Sequence, residues 1–209
     1  MKNMEIIKKL DKNTIKRIAN ELMAGKIAVF PTDTIYGLGT NAFKYESVKR
    51  IYKLKGRDYR KPLPVLVENI LQVKKLVKNF DKHVESLARQ YWPGALTLVF
   101  ETSELGNILM GGKKSIAVRI PNNENVLSII REMKCPLVGT SANISGTKGS
   151  RNVKNIDKKL LKNVDIVIDG GEIESKSVST VLDISRFHYV VLREGAISRQ
   201  ELKRFLKIN

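Results

Sequence analysis

The 209-residue chain has one cysteine, Cys135, and two histidines, His83 and His188. A single thiol excludes an intrachain disulfide, and so few Cys and His exclude a zinc site built from such ligands. One unpaired thiol fits a reducing compartment. No apolar run approaches the roughly 20 residues of a membrane-spanning helix, and the opening residues MKNME hold no apolar signal core. The chain is therefore expected in the cytoplasm, away from membranes. Acids are scarce: 21 Asp and Glu stand against 38 Lys and Arg, a formal net charge of +17. That excess attracts polyanions such as nucleotides or RNA. Aromatic residues are only 6% of the chain, and the sequence shows neither surface aromatics interleaved with the bases nor a recognised RNA-binding motif. Repeats, low-complexity blocks and Pro/Gly-rich linkers are missing too. With 42% hydrophobic residues, the expectation is one domain over 1–209.

Familiar phosphate and nucleophile motifs are also lacking. There is no G-x-x-x-x-G-K-[ST] loop. GLGTNA at 37–42 matches G-x-G-x-x-A, but its first glycine lies well past the preceding strand. Arg57 and Asp58 occupy the region where a strand-end carboxylate should follow. GTSAN at 139–143 fails the G-x-S-x-G elbow at Asn143. Phosphates must be held by side chains, and no covalent nucleophile is evident.

What is present alternates between apolar runs and polar loops. Asn13 can cap a helix with Ile15, Ile18 and Leu22 on its apolar face, closed by Gly25. A strand over 27–30 feeds a polar loop over 31–39. A helix over 46–54, a basic loop over 53–61 and a strand over 64–67 follow. Helices are expected over 70–77 and 83–91, the second stopped at Trp92-Pro93-Gly94. Strands over 96–100 and 115–120 precede a helix over 124–133 and a short strand over 136–139, which empties into a polar loop over 140–146. The stretch 147–163, with six bases and one acid, reads as an exposed loop plus a short helix. Strands over 165–168, 178–184 and 189–192 lead to a final helix over 200–206, opened by a capping box at Ser198. Irregular mixing of helices with seven or eight short strands indicates one α/β domain around a twisted mixed sheet with flanking helices.

Three places carry candidate chemistry. From Lys44 to Lys61 there are eight bases and two acids, and Gly56 and Pro62 constrain the loop bearing the last of them. Such a run is commonly a solvated face, but arginine forks beside ammonium groups also suit a triphosphate. Arg119 ends an apolar strand, where it is costly to bury unpaired. Either a carboxylate neutralises it or it binds a ligand carboxylate or phosphate. Ser141 and Asn143 are hydrogen-bonding groups for a ligand or for their own turn.

Seven stretches, in order, resemble the YrdC/TsaC family, the L-threonylcarbamoyladenylate synthases. They are PTDTIYGLG at 31–39, KGRDYRKPL at 55–63, WPGALTLV at 92–99, AVRIP at 117–121, GTSANISG at 139–146, STVLDIS at 179–185 and LREGAIS at 192–198. The resemblance covers about residues 15–200. It implies a YrdC-like mixed sheet around a basic concave cavity. It also implies a reaction in which L-threonine, bicarbonate or CO2, and ATP give L-threonylcarbamoyl-AMP and pyrophosphate, with Mg2+ accompanying the ATP and no direct protein ligand to it. The product serves N6-threonylcarbamoylation of adenosine 37 in tRNAs reading codons that begin with A, tRNA being reached through a transferase complex. Position by position, the resemblance implies that Thr34, Arg119 and Ser179 bind threonine. Lys55, Arg57 and Lys61 would clamp the ATP phosphates, Lys55 and Arg57 being catalytic, and Ser115, Ser141, Asn143 and Arg193 would complete the ATP site. Asp58 stands where the family commonly has proline, and Asp33 is open between holding its loop and positioning substrate or metal. The second C-terminal domain of longer relatives is expected to be absent. The competing expectation is a structured-RNA-binding or ribosome-associated protein using the same basic cavity.

Overall fold

A computed structural model describes residues 4–185 and 189–206, which leaves His188 outside. In chain order the elements are β1 (Glu5–Ile7), α1 (Lys12–Met23), β2 (Ala28–Phe30), β3 (Gly37–Gly39), α2 (Tyr45–Lys55), β4 (Val65–Leu66), α3 (Ile70–Leu76) and α4 (Lys82–Tyr91). Then come β5 (Leu96–Glu101), α5 (Glu104–Leu109), β6 (Ser115–Arg119), α6 (Glu124–Met133), β7 (Leu137–Val138), β8 (Thr140–Ser141) and a short 3-10 turn (Val153–Asn155). The chain continues through α7 (Lys158–Leu161), β9 (Ile166–Ile168), β10 (Thr180–Asp183), β11 (Val190–Arg193) and α8 (Arg199–Leu206).

The helices start where a short polar side chain can take an orphan backbone N–H. Asp81 accepts from Val84 N at 2.8 Å and Asn123 from Val126 N at 3.1 Å. The cap of α1 is Asp11, accepting from Thr14 N at 2.8 Å, and not the expected Asn13, which lies inside the helix. Helix α2 ends at Gly56, whose φ of 57° is left-handed and turns the chain into the basic loop.

Two mixed sheets form where one was expected. One has the order β1-β9-β2-β3-β8, the other β11-β10-β5-β6-β4-β7. The stretch 31–39 is not all loop, because its last three residues pair antiparallel with β2 as β3. The polar start of the chain holds β1, parallel to β9. The sheets meet where β7 passes into β8 through Gly139. Close approach there needs glycine: a Cβ on Gly39 would lie 1.9 Å from Val138 O, and one on Gly139 2.3 Å from Leu66 Cγ.

The inner faces build one large core, with Val29, Tyr36, Leu38, Val65, Leu98, Phe100, Ile116, Val118 and Leu182 among its members. A second cluster joins the apolar stripe of α1 (Ile18, Ala19, Leu22) to Val126, Ile129, Ile130 and Met133 of α6 over β2 and β9. The basic stretch 147–163 is anchored rather than wholly exposed, since Val153, Ile156 and Leu160 are buried. Among the described residues no helix is long and apolar enough to cross a membrane.

Candidate active site

Side chains two apart on a strand share a face. In the six-stranded sheet, Thr97 lies opposite Val181, which in turn opposes Arg193. Val99 lies between Asp183 and Ala117. One face therefore presents Thr97 and Val99 of β5, Ser115, Ala117 and Arg119 of β6, and Val181 and Asp183 of β10, while the alternate residues enter the core. These seven form the floor of a cavity of about 830 Å³. The loop from Thr32 to Tyr36 and the β8 strand make one wall, and Arg57, Arg60, Lys61 and Pro62 make another.

Arg119 is the buried pivot of the floor, and of the alternatives left open by the sequence the structure shows the first, a carboxylate that neutralises it. Its Nη2 donates to Asp33 Oδ1 at 2.6 Å, its Nη1 to Thr34 Oγ1 at 3.0 Å and its Nε to Gly94 O at 2.8 Å. Asp33 thus holds the arginine, and two of the five guanidinium N–H groups have no protein partner among the described residues. Burial lowers the pKa of Arg119 and the Asp33 charge opposes that shift. Thr32 knits the loop, with its Oγ1 donating to Ile35 O at 2.7 Å and accepting from Thr34 N at 3.1 Å.

Across the floor, Arg193 donates twice to Ser179 O, at 3.0 and 2.9 Å, and to Ser179 Oγ at 2.9 Å. The Ser179 hydroxyl also meets Thr97 Oγ1 at 3.0 Å. The Arg193 pKa is lowered by burial and then by the charges of Arg119 and Arg57. Guanidinium groups stay protonated in proteins, so three positive charges stand close together in this cavity. Arg57 is tethered through Nε to Lys61 O and through Nη2 to Pro62 O, both at 3.1 Å, leaving its other N–H groups for a ligand.

Of the residues singled out in the sequence, Thr34, Arg57, Lys61, Ser115, Arg119, Ser141, Ser179 and Arg193 line this one cavity. Lys55 and Asn143 do not. They line an adjoining space of about 400 Å³ that shares Arg57, Lys61 and Ser141 with it. Lys55 is 1% exposed. Its ammonium donates to Ser141 O at 2.5 Å, Asn143 O at 2.7 Å and Asn143 Oδ1 at 3.1 Å, which uses all three of its protons. Burial, and then the Arg57 charge, push its pKa down to about 8. Lys55 therefore sits beneath the Ser141–Asn143 turn as a pin. Asn143 serves that turn as well, accepting from Ser141 Oγ at 2.5 Å and donating through Nδ2 to Thr147 O. Asp58 is turned outward onto Arg60, with contacts of 2.8–3.1 Å.

Arg60, one of the bases of the 44–61 run read as suited to phosphates, lines the cavity too, and Thr32, Thr97 and Asp183 line it without having been singled out. Strand alternation was the available signal for two of them: Thr97 precedes Val99 by two, and Asp183 follows Val181 by two. Among the described residues that line the cavity Asp183 is the one carboxylate, Asp33 being turned onto Arg119. It accepts from Ser185 N at 2.9 Å and Ser185 Oγ at 2.6 Å. Among the described residues no group of three or more His, Cys, Asp or Glu could hold a metal ion. The donor set fits Mg2+ only as an ion brought by a phosphate ligand, which keeps most of its coordination on phosphate and water.

Fold and site define a class, an α/β protein with a sheet face that gathers arginines and hydroxyl groups into one cavity. Within that class, the chain belongs to the Sua5/YciO/YrdC family, described as telomere recombination, which matches residues 20–195. It is 33% identical over 204 residues to a threonylcarbamoyl-AMP synthase of Pyrococcus abyssi, covering 97% of this chain and 60% of the relative. It is 35% identical over 198 residues to a putative threonylcarbamoyl-AMP synthase of Methanocaldococcus jannaschii, covering 92% of this chain and 91% of that one. The crystal structure of Pyrococcus abyssi Sua5 complexed with L-threonine superposes with a TM-score of 0.89 at 33% identity, over 97% of this chain and 60% of that one. The chain thus spans about 60% of the Pyrococcus protein's length.

Proposed function

We propose that this chain makes L-threonylcarbamoyl-AMP from L-threonine, bicarbonate or CO2, and ATP, releasing pyrophosphate. The observation that carries the reading is the convergence of Arg57, Arg119 and Arg193 on one cavity whose lining, among the described residues, holds a single carboxylate. Threonine would take the Arg119 end, its carboxylate on the two unused N–H groups and its polar atoms near Thr34 and Ser179. The ATP phosphates would take Arg57 and Lys61, and the nucleoside would lie along Ser115, Ser141 and Arg193. Lys55 and Asn143 would act through the turn they hold, as positioning residues for the phosphate wall.

The chemistry suits such a site. The threonine amine attacks carbon dioxide, forming a C–N bond and shedding a proton to give an N-carboxylate. One oxygen of that carbamate then attacks the α-phosphorus of ATP. The bond from that phosphorus to the oxygen bridging toward the β-phosphate breaks, and pyrophosphate leaves with the electron pair. Both partners are anions, so the rate depends on holding them together and on positive charge around the transferred phosphoryl group. The arginines and Lys61 supply that charge, and bound Mg2+ would shield the phosphates further. No covalent intermediate is required. The product would pass to a transferase complex that modifies adenosine 37 of tRNAs reading codons that begin with A. The lone buried thiol and this place in tRNA processing fit a cytoplasmic protein.

The test is pyrophosphate release by the purified chain with ATP, Mg2+, bicarbonate and single amino acids. Release is expected only with both threonine and bicarbonate, and Arg57→Ala is expected to abolish it while the far-ultraviolet dichroism is unchanged. Nucleotide turnover indifferent to threonine would overturn the reading, and near-normal turnover in Arg57→Ala would overturn the phosphate-wall assignment.

A further inference from the structure

A second concavity, of about 510 Å³, lies between α2, α5 and the loop that carries Arg57. Its residues take no part in the cavity described above. Phe43, Tyr45 and Tyr59 line it and remain 43%, 62% and 51% exposed. Aromatic rings left in water on this scale are unusual for a protein that buries most of its apolar side chains. The Tyr59 ring is also held. Tyr59 stacks on Tyr52 with centroids 4.5 Å apart and planes 21° apart, and its hydroxyl donates to Lys49 O at 3.3 Å. One face of Tyr59 is thus fixed against protein and the other is presented outward.

Positive charge accompanies the rings. Lys49 Nζ sits 4.3 Å from the centroid of Tyr45 and Lys113 Nζ 5.9 Å from that of Tyr52. Among the described residues no carboxylate lines the groove, although Lys49 also reaches the exposed Glu46 at 3.1 Å. Aromatics separated by up to sixteen positions in sequence (Phe43, Tyr45, Tyr59) are brought together with lysines only by the fold. The sequence expectation that the chain lacks interleaved surface aromatics does not hold at this face.

We infer that this groove binds single-stranded RNA, with bases stacking on Tyr45 and Tyr59 and the backbone running beside Lys49 and Lys113. Rigid ring faces alternating with ammonium groups are the two elements of sequence-tolerant single-strand binding. Charge decides against a second copy of this chain as the occupant, because two bodies of +17 repel. An acidic peptide would satisfy the lysines but would leave the presented ring faces unexplained. The groove also has a route to the cavity. Tyr59 belongs to the 56–62 loop, and the Tyr52 hydroxyl donates to Lys61 O at 3.1 Å, so a strand on the rings would lie against the loop that bears Arg57 and Lys61.

The experiment uses a fluorescein-labelled 12-nucleotide single-stranded RNA of mixed sequence and reads anisotropy at 50 mM salt, beside pyrophosphate release from ATP, threonine and bicarbonate. Tyr45→Ala and Tyr59→Ala are each expected to weaken RNA binding about tenfold, as loss of one base stack should. Tyr59→Phe should keep it, and Phe43→Ala with Tyr45→Ala should leave pyrophosphate release unchanged. RNA binding untouched by the tyrosine variants but abolished by Arg57→Ala would place RNA in the catalytic cavity and overturn the inference. So would no saturable binding of the RNA, or a concentration-dependent dimer that Tyr45→Ala dissolves. Failure of the synthase assay alone leaves the RNA titration readable, so the two proposals fall separately.

Discussion

At the residue scale, two buried cations decide how the site is held. Lys55 has no carboxylate partner among the described residues, and burial, with the Arg57 charge, lowers its pKa to about 8 against an ordinary 10.5. Between those values the unfolded chain keeps a proton that the folded chain has shed, so the contribution of this group to stability rises with pH across that window. Relative to Lys55→Met, the wild type is expected to gain about 3 kcal/mol from pH 8 to 10.5, read as the difference between their denaturant-unfolding free energies. Parallel pH curves for the two proteins would refute the desolvated ammonium. Arg119 is the opposite case, a buried cation with a half-buried carboxylate partner. Arg119→Ala strands Asp33 and should cost about 3–5 kcal/mol, and adding Asp33→Asn should restore part of that loss while threonine-dependent turnover stays absent. Urea unfolding of the single and double variants separates these terms, and a double variant no more stable than Arg119→Ala would show that Asp33 is not what the arginine neutralises. Arg119 was legible in the sequence because a charge inside an apolar strand is anomalous. The pinned state of Lys55 was not, since it looks like any of its seven basic neighbours. Its acceptors, Ser141 and Asn143, lie 86 and 88 residues away.

At the element scale, legibility follows how local the cause is. Helix α6 is expected over 124–133 and found at Glu124–Met133, because its apolar stripe lies within it and its caps, Asn123 and Lys134, adjoin it. Strand β1 is invisible locally: three residues become a strand only by pairing with Ile166, Val167 and Ile168 at the far end of the chain. Strand β3 is hidden differently, since Gly37-Leu38-Gly39 has no alternation to read and β propensity disfavours glycine. Its glycines are there for approach, not flexibility, and this yields a ranking. Gly39→Ala puts a methyl group into a backbone carbonyl at the seam between the sheets and should destabilise by about 3 kcal/mol or more. Gly56→Ala meets open space and pays only for its left-handed backbone, about 1–2 kcal/mol. Chemical denaturation of both variants tests the order, and Gly56→Ala proving the more damaging would mean that the seam can relax.

At the scale of the whole molecule, the +17 charge acts differently on the two ends of the cavity. Composition alone points to polyanions but cannot say where they bind, because most of the excess is spread over exposed lysines. The fold divides the binding groups by burial. Arg119, which would pair the threonine carboxylate, is 6% exposed and enclosed by Asp33, Thr34 and Gly94. Arg57 and Lys61, which would take the phosphates, lie on a solvent-facing loop. Salt shortens the screening length from about 10 Å at 0.1 M to about 3 Å at 1 M, and it screens exposed pairs far more than buried ones. A triphosphate drawn by the outer wall should therefore lose affinity steeply with salt, whereas a zwitterionic amino acid on a buried arginine should lose little. Titration calorimetry at 50 and 500 mM salt is expected to show ATP binding weakened at least tenfold and threonine binding by less than about threefold. Equal sensitivity of the two ligands would mean that they share one electrostatic environment, and the division of the cavity into a buried threonine end and an open phosphate end would fail.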